Sequence, residues 1–169
     1  MPLSSLHFIF VFLPIFLVLF YILPFNTWRN SILVVASLVF FGWSDPGHLP
    51  LLIGMILLNY LFGRVIGYYL DNEKQASARP LMWVAVMVNL LVLIFYKYTG
   101  FVLQSVADIA NLAIKYEAEA LPLGISFFTF SGIAYILDIY NRTEKAEKNI
   151  IRFSSYLIMF PKLLQGPIT

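Results

Sequence analysis

The chain has 169 residues, of which 60% are hydrophobic, 17% aromatic and only 12% charged, with a mean hydropathy of +0.83. A soluble domain holds about 45–50% apolar and about 25% charged residues, so this is the composition of an integral membrane protein. The formal net charge of +2 includes no basic cluster, which excludes a nucleic-acid surface, and the lack of cysteine excludes disulfides, thiolate nucleophiles and cysteine-held metals.

The amino terminus does not read as a removable signal, because Met1 to Ser5 holds no Lys or Arg and no A-x-A pattern follows. The apolar run Phe8 to Leu23, with Pro14 inside it, is instead a retained first span. A second span is predicted from Thr27 to Trp43, capped by Asn26 or Thr27, with Arg29 snorkelling to the interface. Trp28 and Trp43 bracket only about 22 Å of helix against a hydrocarbon core of about 30 Å, which implies a locally thinned bilayer. A third span runs Leu49 to Leu70 and a fourth Pro80 to Tyr96. From Phe101 to Lys115 the polar residues Gln104, Asp108, Asn111 and Lys115 recur at helical spacing, so this segment reads as an amphipathic helix in the interface or against a cavity. A fifth span covers Leu121 to Tyr140, with Pro122 in its first turn. The last apolar stretch, Ile151 to Ile168, is interrupted by Pro161 and by Gly166-Pro167 and is expected to be a broken or re-entrant helix. The fold class is therefore all-α, a polytopic membrane bundle of about five or six spans plus one interfacial helix. Residues 1–169 form part of a single membrane domain.

Orientation follows from the basic residues. With the amino terminus outside, the inner ends and loops hold Arg29, Arg64, Lys74, Arg79, Arg142, Lys145, Lys148 and Arg152, and the outer ones hold Lys97 and Lys115.

Most catalytic constellations fail on their own chemistry. Gly124-Ile-Ser126-Phe-Phe128 lacks the second glycine of a nucleophile elbow and sits in a membrane helix, so Ser126 reads as a packing or backbone-bonding serine. His7 and His48 lie on different spans without carboxylates in metal-motif spacing, and no glycine-rich phosphate loop occurs. The charged residues inside apolar stretches carry more weight, because a charge in hydrocarbon costs about 2.5 kcal/mol or more unless a partner or a cavity receives it. Lys97 marks an outer boundary. Arg64 and Asp138 lie near inner ends, where snorkelling or a mutual ion pair accounts for them. Lys162 follows Pro161, with Gln165 just beyond. Irregular backbone at membrane depth requires protein or water around it, so Lys162 and Gln165 are predicted to face a polar cavity.

Three elements resemble one known family. The run Leu121-Pro-Leu-Gly-Ile-Ser-Phe-Phe-Thr-Phe130, continuing to Tyr135-Ile-Leu-Asp-Ile-Tyr140, resembles the signature segment of bacterial membrane-bound O-acyltransferases. Phe160-Pro-Lys-Leu-Leu-Gln-Gly-Pro-Ile168 resembles the family's FPxLxxGPI element, and Arg29-Asn30 leading into Ala36-Ser-Leu-Val-Phe-Phe-Gly-Trp43 resembles its second helix. The resemblance implies the N-terminal portion of a longer many-helix enzyme. In that enzyme a tunnel histidine acts as general base while a hydroxyl attacks an acyl thioester, without a metal. The histidine belongs to the family's later half, so neither His7 nor His48 inherits the role, and residues 1–169 alone are expected to be inactive. The resemblance further implies an acetyl-CoA or acyl-carrier donor and an extracytoplasmic polysaccharide acceptor. It also implies periplasmic or extracellular partner proteins, and an inner-membrane location. Ser126, Thr129, Asp138, Lys162 and Gln165 are the candidate tunnel or cavity lining. The competing reading is a transport or scaffold component of a polysaccharide-modifying complex.

Overall fold

The computed structural model describes residues 8–22, 25–109 and 121–159, with side chains described from residue 10 and, in the middle stretch, up to residue 100. A π-helical turn, Phe8–Phe12, leads into α1 (Leu13–Tyr21), and α2 follows as Asn26–Ser44. A 3-10 turn, Pro46–His48, joins α2 to α3 (Leu49–Asp71), and then come α4 (Gln75–Ile109), α5 (Ile125–Tyr140) and α6 (Ile150–Ile158). Among the described residues there is no strand, so the chain is an all-α helical bundle.

Among the described residues two helices are long and apolar enough to cross a bilayer, Pro46–Asp71 and Gln75–Gly100 at 26 residues each. Of the other expected spans, α1 and α5 are apolar but have 9 and 16 residues. The 19 residues of α2 suffice in length but include Asn26, Arg29, Asn30 and three serines. Four boundaries differ from the sequence reading. Helix α4 does not stop at Tyr96 but runs unbroken to Ile109, because Gly100 alone lacks the turn chemistry to end a helix held by its own backbone bonds, and the expected amphipathic segment begins as its continuation. It also starts five residues before Pro80; the N–H that Pro80 lacks falls within the opening two turns. Pro122 precedes α5 rather than opening it, and Gly124 stands at the cap with φ 66°, a left-handed conformation that only glycine adopts without strain. Neither Asn26 nor Thr27 caps α2: the cap position is Phe25, and no side chain bonds the first amides.

The outside of this bundle is apolar like its core, and the core admits a few polar side chains. Helix α4 buries Ala78, Met82, Ala85, Asn89 and Leu93 at steps of four, three, four and four, and leaves Trp83, Val84, Met87, Leu91, Ile94 and Phe95 exposed. Asn59, Asn89, Thr129 and Ser37 are inside, while Leu57, Leu61 and Val65 are outside. Water does not tolerate such an outer surface, whereas lipid does, because apolar area gains nothing by leaving hydrocarbon and polar groups gain by finding each other.

Small residues set the register. Helix α5 packs against both α3 and α4. It runs parallel to α3, since Gly63 faces Tyr135 and the next turn brings Gly67 against Ile139. A Cβ at Gly63 would fall 2.5 Å from the Tyr135 ring, and one at Gly67 would fall 2.6 Å from the Ala146 Cβ. Gly63-x-x-x-Gly67 is thus a close-approach face, with the missing side chains letting the helices meet. On α5, Gly132 gives the same room to the Asn59 amide, which a Cβ there would approach to 2.8 Å. Asn59 and Asn89 are fully buried and bond each other reciprocally, Nδ2 to Oδ1, at 3.1 and 2.9 Å. The second proton of each amide goes to the carbonyl one turn back, Met55 or Ala85. Helix α6 lies against α2 and places Phe153 beside Tyr60 and Tyr135, ring centroids 5.9 and 4.6 Å away.

Candidate functional site at the C-terminal ends of α3 and α5

Helices α3 and α5 finish side by side, and each ends the same way. The Lys74 N–H bonds the Tyr69 carbonyl and the Glu73 N–H bonds that of Leu70; Thr143 and Arg142 repeat the pattern on Asp138 and Ile139. Both turns place a non-glycine residue in the left-handed region, Glu73 at φ 59° and Arg142 at φ 60°. The conformation aims Arg142 across the gap, where its Nη2 donates to the Leu70 carbonyl at 3.1 Å. A cation is thereby fixed at the negative ends of two helices.

The loop after α5 is pinned from several sides. The Glu147 N–H donates to the Tyr135 hydroxyl at 3.1 Å, and the Tyr60 hydroxyl donates to the Lys148 carbonyl at 2.7 Å. The Glu147 carboxylate accepts the N–H groups of Lys148 and Asn149, and Asn149 caps α6 by accepting from the Ile151 N–H. Around this loop lie two neighbouring hollows that share Glu144 and Lys145. One, of about 560 Å³, is lined by Arg64, Asp71, Glu73, Arg142 and Lys148 among others; the second, of about 360 Å³, by Asp138, Glu147, Arg152 and Tyr156. This mixed-charge cleft suits a polar group entering from water at the end of the bundle where the basic residues concentrate.

Asp138 therefore lines a polar cleft. The ion pair expected as one account of Arg64 and Asp138 is not formed: among the described residues no Lys or Arg pairs with a carboxylate, and the one such contact is the His48 imidazole on Asp45. The reason is angular. Gly63 occupies the α3 face that meets α5, so Arg64, the next residue, is turned about 100° away, into the other hollow. Thr129 is fully buried and its hydroxyl donates to the Ile125 carbonyl of its own helix. Ser126, half-buried one turn earlier, makes no hydrogen bond among the described residues. Lys162 and Gln165 lie outside the described residues.

His48 is not without a carboxylate, as its sequence context implied. Its Nδ1 donates to Asp45 Oδ1 at 2.7 Å, and Asp45 Oδ2 accepts the Leu123 N–H at 3.1 Å. The ring stands edge-on to Tyr96, centroids 5.6 Å apart. The pair thus ties the α2–α3 turn to α4 and to the segment before α5. The sequence signal was Asp-Pro-Gly-His, an acceptor three residues before the imidazole in a tight turn. Among the described residues no group of three or more His, Cys, Asp or Glu gathers as a metal site.

The chain is 36% identical over 99% of its length to the "probable alginate O-acetylase AlgI" of Pseudomonas syringae pv. tomato, and 36% identical to the protein of that name from Azotobacter vinelandii. It is also 31% identical, over 95% of its length, to the peptidoglycan O-acetyltransferase of Helicobacter pylori. Along nearly its whole length the chain is thus similar to proteins named as O-acetylases and O-acetyltransferases. It spans about a third of the length of the relatives it matches, 33% of the first and 35% of the Helicobacter protein. No family model and no solved structure matches it. The cleft and the Asp45–His48 tie stand at opposite ends of α5.

Proposed function

We propose that this chain is part of an enzyme that transfers an acetyl group from a thioester donor to hydroxyls of an extracytoplasmic polysaccharide. The single observation that carries the reading is the match along 99% of the chain to proteins named as alginate O-acetylases. In the reaction a neutral imidazole takes the hydroxyl proton as the acceptor oxygen attacks the thioester carbonyl; the C–S bond breaks and the leaving thiolate takes that proton from the imidazolium. The family resemblance puts that base at a histidine of the family's later half, and neither His7 nor His48 stands in a matching motif. What these residues supply is the wall. Asp138 lies at the polar inner cleft, and Ser126 and Thr129 stand further along α5. Lys162 and Gln165, outside the described residues, belong to the same proposed lining. The donor, acetyl-CoA or an acyl carrier, approaches from the inner side, and periplasmic or extracellular partners receive the product. The protein sits in the inner membrane with its amino terminus outside, which the gathering of Arg64, Arg79, Arg142, Lys145 and Lys148 toward one end of the bundle supports.

The test is base-released acetate from the polysaccharide of a host whose own O-acetylase gene is deleted. The full-length protein restores ester acetate and residues 1–169 alone do not. Acetate from residues 1–169 alone would overturn the placement of the base, and none from a membrane-inserted full-length protein would overturn the activity.

A further inference from the structure

A second site, which shares no lining residue with the cleft, lies on the flank formed by α1 and α2. Between these helices runs a trough of about 380 Å³ whose lining is wholly apolar, including Ile15, Leu19, Ile32, Val35, Val39 and Trp43. It opens sideways, since Ile15, Val35, Val39 and Trp43 are all exposed. From Ile32 to Trp43 it extends about 16 Å along α2, close to half of a ~30 Å hydrocarbon core and so to the length of one leaflet's acyl chain.

One end of the trough is cationic. Arg29 is on the trough face of α2, one turn before Ile32, and its guanidinium carbon lies 5.5 Å from the Phe20 ring centre and 5.9 Å from that of Tyr21. Its Nε is buried and bonds to nothing among the described residues. Among the described residues no carboxylate pairs with it: residues 1–44 hold no Asp or Glu, and Asp45, at the far end of α2, is bonded to His48. The first amides of α2 also lack a side-chain cap, so the positive end of that helix dipole stands beside the guanidinium. An uncompensated guanidinium, open helix amides and an apolar trough one leaflet deep are the three parts of a phospholipid's shape in reverse.

We propose that the α1–α2 trough is a phospholipid site, with one acyl chain lying between the helices and the phosphate held by Arg29 and the opening amides of α2. The trough fixes the source of the phosphate, since a free phosphate has no use for it.

Native mass spectrometry of the full-length protein in dodecylmaltoside, titrated with palmitoyl-oleoyl phosphatidylglycerol, the matching diacylglycerol or inorganic phosphate, tests this. Wild type is expected to bind phosphatidylglycerol at least tenfold more tightly than the diacylglycerol. Arg29→Gln should weaken phosphatidylglycerol about tenfold and leave the diacylglycerol within twofold, Arg29→Lys should stay within threefold of wild type, and Val35→Trp, which fills the trough, should weaken both lipids. Arg79→Gln removes an exposed charge elsewhere and should change nothing. The proposal is overturned if wild type retains no lipid, or if Arg29→Gln binds phosphatidylglycerol as wild type does. It also fails if Arg29→Lys loses binding as fully as Arg29→Gln, or if inorganic phosphate binds as tightly as the lipid and ignores Val35→Trp.

Discussion

The buried pair of Asn59 and Asn89 offers the sharpest test of how this bundle is held. Leucine at position 89 keeps the branched shape but removes both reciprocal hydrogen bonds, at 3.1 and 2.9 Å. Asn59 then keeps its bond to the Met55 carbonyl through Nδ2, while its Oδ1 is left without a donor at a fully buried position. An orphaned buried acceptor costs about 1–3 kcal/mol, and interhelical hydrogen bonds in bilayers average about 0.6 kcal/mol with a maximum near 1.7. Asn89→Leu is therefore expected to destabilise the protein by about 1–3 kcal/mol. The double replacement Asn59→Leu with Asn89→Leu removes the orphan together with its partner and should cost less than the sum of the singles by about 1 kcal/mol or more. Equilibrium unfolding in mixed dodecylmaltoside and dodecyl sulfate micelles, followed by helical circular dichroism, measures all three. A single variant within about 0.3 kcal/mol of wild type, or a double variant equal to the sum, would refute the argument that the two amides hold α3 to α4 as a unit.

Three further outcomes follow from contacts elsewhere. Gly63→Ala should lose about 1–3 kcal/mol, because its Cβ would fall 2.5 Å from the Tyr135 ring, whereas Gly54→Ala, with nothing within 4 Å, should gain about 0.5–1 kcal/mol of helix propensity; the same unfolding assay compares them. Glu73→Gly should raise stability by about 1 kcal/mol through relief of its left-handed backbone at φ 59°, read as a higher unfolding midpoint. Asp45→Ala removes the acceptor of both His48 and the Leu123 N–H, so hydrogen exchange at the Leu123 amide should speed by about tenfold, and unchanged exchange would show that the carboxylate does not hold that segment.

The sequence by itself determined the class of the protein. Composition alone demanded a membrane bundle, the apolar runs located α2 and α3 to within a residue or two of their observed ends, and the motif residues around Arg29, Ala36 to Trp43 and Leu121 to Tyr140 pointed to the O-acetyltransferases that the chain resembles along nearly its whole length. These are properties of single segments, which the period of a helix and the cost of exposing apolar atoms fix locally. Only the tertiary structure decided which polar residues meet. Nothing in the spacing of Asn59 and Asn89, thirty residues apart, says that their amides bond, and nothing around Gly63 says that Tyr135 fills its missing side chain. Arg64 and Asp138, a reasonable pair on paper, are parted because a glycine face turns one of them about 100° aside. In hydrocarbon the apolar pattern is the same on every side of a helix, so it cannot choose a facing partner; small residues and the few hydrogen-bonding groups choose it, and their choice exists only once the helices touch.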